Sequence, residues 1–270
     1  MLGHLKAIWT FRHFWMSLVK MDLMTRYRKS VLGIGWSLLQ PLAMTAILTV
    51  VFSQFVRDPD PTKDWRVYSV LTITAMTVYG FLRDNAQQGC QCLARNEAYI
   101  RQCPLPFSIY SLRTVLGNAV HYAITLAVIL LIGMVLGGSW ERAQGMLQAS
   151  WMLLPMFFVS LVCAWALATI FGFATVYFND VSHILEIAAQ MFFFLTPIIY
   201  GRKMLDDNGR SWLVDWNPAA AFIEAYQKPL VDLEPASTQA YLLSCGFTAA
   251  MVLLAVLAIR LLSKRVIFQM

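Results

Sequence analysis

Charge is what this sequence has least of. Asp, Glu, Lys and Arg together make 13% of its 270 residues, about half the share of a soluble domain, so an ordinary water-exposed fold is excluded. No G-x-x-x-x-G-K-[ST] run occurs, so the chain lacks the loop that cradles nucleotide phosphates. Cysteine is sparse. Of five, Cys90, Cys92 and Cys103 share one segment with no nearby His or fourth Cys. That is neither a disulfide framework nor a tetrahedral ligand set, and no metal is expected. Residues 1–20 lack an unbroken apolar stretch, being interrupted by Lys6, Arg12 and Lys20, so no signal peptide is expected. Internal repeats and paired charges inside apolar stretches are also missing, against a secondary transporter. Asp206, Asp207 and Asp215 show no D-x-D spacing, which weighs against a membrane glycosyltransferase.

Apolar residues are what is there: 59% of the chain, with mean hydropathy +0.59. Lys20 to Asp58 sets the pattern. Lys20, Arg26, Arg28 and Lys29 face a single acid, Asp22, and Leu32–Val56 then carries no charge. Those 25 positions would rise about 37 Å as a helix, enough to cross a hydrocarbon layer of about 30 Å. A basic block running into an apolar span marks a cytoplasmic anchor. The net charge of +6 therefore reads as topology and contact with anionic lipid rather than nucleic-acid binding.

The expected fold is all-α and integral to the membrane, with six transmembrane helices at about 32–56, 67–82, 107–136, 146–177, 183–200 and 240–262. Residues 1–31 form an N-terminal interfacial helix and basic linker, and 32–270 the transmembrane domain. Lys6, Thr10, His13, Ser17 and Lys20 make one polar stripe among apolar neighbours, suiting a helix in the membrane interface. Gly33 and Gly35 permit a bend, and Pro41 a kink, in span 1. Span 2 is short and rich in Ser and Thr. Leu93–Cys103 reads as a short amphipathic helix that must end before Pro104; composition alone leaves open whether it is a handle for a soluble partner or a plain interfacial loop. Asn179 or Asp180 can N-cap span 5. Glu186 is the only acid inside a predicted span and has His183 within reach at i, i+3, and Thr196-Pro197 should kink that span. His121 in span 3 is expected to be a packing residue. Segment 201–237 suits short helices dipping into the outer interface. The segments placed inside hold 13 Lys/Arg and those outside 8, so both termini are expected in the cytoplasm.

Four stretches, TRYRKSVLGIGWSLLQPL, NEAYIRQCPLP, YFNDVSHILEIAAQMFFFLTPIIY and WNPAAAFIEAY, occur in the order found in polysaccharide-exporting ABC-2 type permeases, and the chain resembles that family over nearly its whole length. The resemblance is strongest to O-antigen exporters, with capsule and wall teichoic acid exporters nearby. It implies a homodimer in the bacterial inner membrane, joined to two copies of a separate ATPase subunit that binds ATP and Mg. The chain itself would then be no enzyme. It also implies a coupling helix between spans 2 and 3 that docks on that subunit, here Arg95, Asn96, Glu97, Tyr99, Ile100 and Arg101. Spans 1 and 5 would line a channel for a lipid-linked polysaccharide, and short reentrant helices between spans 5 and 6 would gate its outer end. Trp36, Phe52, Phe55, Glu186, Phe192, Phe193 and Phe194 are the candidate channel residues. Trp212, Trp216, Asn217 and Pro218 are the candidate outer gate. Glu186 and Asn179 depart from the family pattern. An ABC-2 exporter of a small lipid or drug would share the same spans.

Overall fold

The computed structural model describes residues 10–26, 30–52, 65–102, 105–200, 209 and 212–266. Among these every regular element is a helix. The helices are α1 (Arg12–Arg26), α2 (Trp36–Phe52), α3 (Trp65–Cys90), α4 (Glu97–Gln102), α5 (Ser108–Leu136) and α6 (Trp140–Ala149). They continue with α7 (Leu153–Tyr177), α8 (Val181–Leu195), α9 (Trp212–Asp215), α10 (Pro218–Val231) and α11 (Thr238–Val266). Among the described residues three helical stretches are long and apolar enough to cross a membrane: Ser108–Leu136, Trp140–Tyr177 and Thr238–Ser263. Leu38–Val51 and Val181–Leu195 are apolar but shorter.

α7 is the centre. α11 and α3 pack most extensively along it, α5 lies on α3, and α10 wedges between α3 and α11. The core is aromatic. Tyr122 is stacked between Phe81, 4.1 Å away, and Phe157, 5.6 Å away. Tyr226 meets Tyr122 edge-on and its hydroxyl lies 3.0 Å from Ser160 Oγ. α10 is therefore a core helix: Phe222, Ile223, Ala225 and Tyr226 are buried. The expected helices of segment 201–237 exist as α9 and α10, but α10 is lodged in the bundle.

The tightest approach joins α3 to α7. A Cβ on Gly89 would lie 2.8 Å from Ala168 O and 2.9 Å from Ala168 Cβ. A Cβ on Gly172 would lie 2.7 Å from Cys92 Sγ and 2.9 Å from Gly89 O. Ala168 and Gly172, four residues apart, form the small-residue face that lets two helix backbones touch.

Several expected boundaries move. Span 2 was expected to stop near 82, yet α3 continues through Cys90; its polar last two turns are helical because α5 and α7 supply partners. The expected span 146–177 lies within the one long apolar stretch Trp140–Tyr177, which carries a 3-10 turn at Ser150–Met152. Pro155 falls in the first turn of α7, where its missing N–H costs little. The expected kink at Pro197 is instead a terminus: α8 ends at Leu195, and Thr196 is extended with ψ 136°, as a residue before proline prefers. Asp180 stands at the N-cap of α8 but makes no side-chain cap; Ser182 Oγ donates instead to Asn179 O. Gly33, with φ +51°, takes the left-handed conformation that its turn before α2 requires. Ser139 caps α6 by accepting from Arg142 N.

Gly89→Val is expected to destabilise the fold by about 3 kcal/mol, because the added methyls meet backbone. Thermal unfolding of the detergent-solubilised protein reads this out. Gly246→Ala, where nothing lies within 4 Å of the new Cβ, is the matched control and should unfold at the wild-type temperature.

Candidate functional site

Beyond α3 the chain turns through a 3-10 segment, Ala94–Asn96, into the six-residue α4. One side chain holds this corner. Arg113, in the second turn of α5, has a side chain only 10% exposed. Its Nε donates to Asp22 Oδ2 and its Nη2 to Asp22 Oδ1, both at 2.6 Å. Its Nη1 donates to Asn96 Oδ1, also at 2.6 Å. Asn96 Nδ2 in turn donates to Cys92 O at 2.7 Å. A planar guanidinium can fork onto a carboxylate and still reach a third acceptor; a lysine cannot. Three segments far apart in sequence, α1, the α3–α4 corner and α5, are thus joined at one cation.

A small apolar cluster lies under the same corner. Cys92, Leu93 and Ile100 pack with Tyr110, Phe173 and Val266, and Phe14 of α1 meets Tyr99 edge-on at 6.2 Å. Burial pushes the Cys92 thiol up to about 12, with the neighbouring Cys90 adding to the rise, and burial raises Cys90 as well. Both stay protonated and unreactive at neutral pH. No group of three or more His, Cys, Asp or Glu side chains that could hold a metal occurs among the described residues.

The six residues expected to form a docking helix therefore divide. Arg95 and Arg101 are exposed, and Glu97 and Tyr99 are half-buried. Arg95 donates to Gln91 Oε1, and Arg101 pairs with Glu97 at 2.7 Å across one turn. Asn96 and Ile100 are buried. They hold the corner from inside.

Among the described candidate channel residues, Trp36 and Phe193 line one cavity, and Glu186, Phe192 and Phe194 do not. Trp36 and Phe192 are each about half exposed and Phe194 more so, whereas Phe193 turns inward onto Tyr79 at 5.7 Å. Tyr79 OH also donates to Ala189 O, tying α3 to α8. Glu186 is exposed, and no hydrogen bond or ion pair joins it to His183. Phe55 and the side chain of Phe52 lie outside the described residues, as do Cys103, Asp206 and Asp207. Of the gate residues, Trp212 and Trp216 are exposed. Asn217 is buried as the N-cap of α10: its Oδ1 accepts from Ala219 N at 2.9 Å, and its Nδ2 donates to Thr196 Oγ1 at 3.0 Å. Pro218 comes next, at the first helical position, where proline is favoured.

A cavity of about 540 Å³ opens between α2, α3, α5 and α8. Its polar side is a set of carboxamides. Asn118 Nδ2 donates to Asn85 Oδ1 and to Gln88 Oε1, each at 3.1 Å. Asn85 Nδ2 donates to Phe81 O. Arg83 is turned onto its neighbour Asp84, with Nε and Nη2 at 2.9 and 2.8 Å from Oδ1. Trp36, Phe193 and the buried His121 complete the wall. Neither the Arg113 junction nor this carboxamide set was singled out by sequence reasoning. The signal for Arg113 was available: it is the one charge in a 29-residue apolar helix, which marks a polar partner.

These features belong to a multi-pass membrane transporter. The sequence profile of the ABC-2 type transporter family matches residues 13–231, and the chain belongs to that family. Two proteins of Klebsiella pneumoniae, each named O-antigen export system permease protein RfbA, are 24% identical to it. One aligns over 211 residues, covering 76% of this chain and 75% of the relative. The other aligns over 207, covering 77% and 76%. A Myxococcus xanthus protein of the same name is 23% identical over 228 residues, 84% of each chain.

Arg113→Gln is expected to lower stability by about 2 kcal/mol, less than a fully buried pair would lose because Asp22 is half exposed. Thermal unfolding in detergent checks this. A maleimide at pH 8 should leave Cys92 unmodified in the folded protein and modify it in denaturant, while a Gln91→Cys substitution at the exposed neighbouring position should label readily.

Proposed function

We propose that this chain is the channel-forming subunit of an ATP-driven exporter that moves a lipid-linked polysaccharide, O-antigen, from the cytoplasmic side across the bacterial inner membrane. The observation that carries the reading is the family match over most of the chain, together with three relatives named as O-antigen export permeases. The chain has no phosphate-cradling motif, so hydrolysis of ATP with Mg is assigned to a separate subunit, two copies of which would serve a homodimer. Apolar faces left uncovered on α2 (Met44, Ile47, Val50) and α8 (Ile184, Ile187, Met191, Phe194) support pairing of spans 1 and 5 across a dimer axis.

In this reading six spans cross the membrane with both termini in the cytoplasm. The ATPase docks on the outward side of α4, through Arg95, Glu97, Tyr99 and Arg101. Closure of two such subunits would push α4. The Arg113 junction and the Phe14–Tyr99 contact would pass the displacement to α1 and α5 as a rigid-body shift, and spans 1 and 5 would part. Trp212 and Trp216 would edge the outer gate, while Asn217 and Pro218 hold its frame.

Reconstituted with its ATPase, the Arg101→Glu permease is expected to lose most transport-stimulated ATPase activity, with bilayer insertion unchanged. Unaltered coupling would remove α4 from the interface. A strain lacking this chain is expected to lose surface O-antigen and keep the lipid-linked polymer inside; surface display undiminished would overturn the export reading.

A further inference from the structure

A smaller pocket lies where α3 begins and α5 hands over to α6. Its volume is about 150 Å³, below the roughly 300 Å³ at which sites for whole drug-sized ligands begin. Two arginines, Arg66 and Arg142, line it. Both reach the turn between α5 and α6. The stem of Arg142 lies over Gly137, where an added Cβ would meet Arg142 Cδ at 3.2 Å, and Arg66 Nη1 stands 3.6 Å from the Cβ position of Gly138. Val67 and Val70 of α3, Leu136 of α5 and Leu230 of α10 give the pocket an apolar wall.

The charge of Arg142 is not balanced by a neighbouring acid. Arg142 is half-buried, and its guanidinium donates to Val231 O at the end of α10, at 3.1 Å. A carbonyl is a partner without net charge. Among the described residues no carboxylate pairs with Arg142. A second guanidinium on the same pocket adds like-charge repulsion, and an anion between the two relieves it. The planar fork of arginine matches phosphate oxygens.

The surroundings say where that phosphate comes from. A free phosphate gains nothing from an apolar wall, whereas the ester and acyl carbons of a lipid do. Trp65 and Trp140 are both exposed, and each stands within two residues of a pocket arginine. Exposed tryptophan at the end of an apolar bundle marks headgroup depth. A zwitterionic headgroup would bring its ammonium against the arginines; a net-negative one would not.

We infer that this pocket holds the phosphate of an anionic membrane phospholipid, clamped between Arg66 and Arg142. Through the bond from Arg142 to Val231 O, the bound lipid pins the last turn of α10 to the start of α3. The occupant is a lipid of the bilayer and not the cargo. Only its leaflet, the outer one, rests on the orientation proposed above.

The test uses the full-length permease, purified in a neutral detergent and stripped of lipid. It is titrated with phosphatidylglycerol or phosphatidylethanolamine of the same acyl chains, and bound lipid is counted by native mass spectrometry. The first phosphatidylglycerol is expected to bind about tenfold tighter than the first phosphatidylethanolamine. Arg66→Gln and Arg142→Gln should each weaken phosphatidylglycerol about fivefold and leave phosphatidylethanolamine within about twofold. Arg260→Gln, at an exposed arginine of α11, should change neither. Arg66 is exposed, so its variant tests the site should Arg142→Gln fail to fold. Equal affinity for the two lipids, Arg66→Gln as tight as the wild type, or the same loss in Arg260→Gln would overturn the inference. Displacement of phosphatidylglycerol by inorganic phosphate would make the pocket a free-anion site, and tighter binding of a polyprenyl pyrophosphate, lost in the same variants, would make it a cargo site. Either result overturns the lipid assignment and leaves the export reading to its own transport assays.

Discussion

Two helices that touch through backbone fix everything around them. Gly89 and Gly172 leave no side chain between α3 and α7, and Ala168 leaves only a methyl. Contact this close sets the helix separation to a value that no rotamer change can relax. It also places Cys92 directly against Gly172, so the corner after α3 begins at a defined point. From there the positions of Asn96, α4 and the Arg113 fork are set within a few residues. A polar junction with three bonds at 2.6 Å tolerates little play, and the small-residue crossing is what keeps its parts in range.

The junction and the cavity share the same helices yet differ in character. Arg113 is charged, largely buried and ion-paired, suited to carrying force between elements that stay in contact. The carboxamides of Asn85, Gln88 and Asn118 are neutral and bonded at longer distances, so they can exchange partners at modest cost. Five residues separate Arg113 from Asn118 along α5. The junction and the cavity's carboxamides are therefore anchored on the same helix.

Much of the architecture was legible in the sequence because the bilayer writes simple rules. Span 3 was expected at 107–136 and α5 runs Ser108–Leu136; the Gly137-Gly138-Ser139 turn and the break at Gly33 also stand where glycine and a cap residue ask for them. What escaped was set by tertiary partners. The polar stretch Arg83–Cys90 has no apolar periodicity to mark it as helix; Gly89 against Ala168, and Asn85 and Gln88 against Asn118, help hold it as one. Asn96 read as part of the charged face of its segment, yet a guanidinium draws it inward. Asn217 and Pro218 were singled out by family resemblance, and their local role, a helix cap, comes from the backbone of α10 and from Thr196. Proline at 197 was read as a bend, although the preceding residue's extended backbone makes it an end.

The early end of α8 has a consequence for the lipid around it. Fifteen helical residues rise only about 22 Å, several ångströms short of a hydrocarbon layer. Its closing carbonyls are not left bare: Thr196 bonds Phe192 O through both its N–H and its hydroxyl, and Tyr200 OH bonds Phe194 O at 2.7 Å. For such a self-sealed stub to stand across a bilayer, the acyl chains beside it must shorten to meet it.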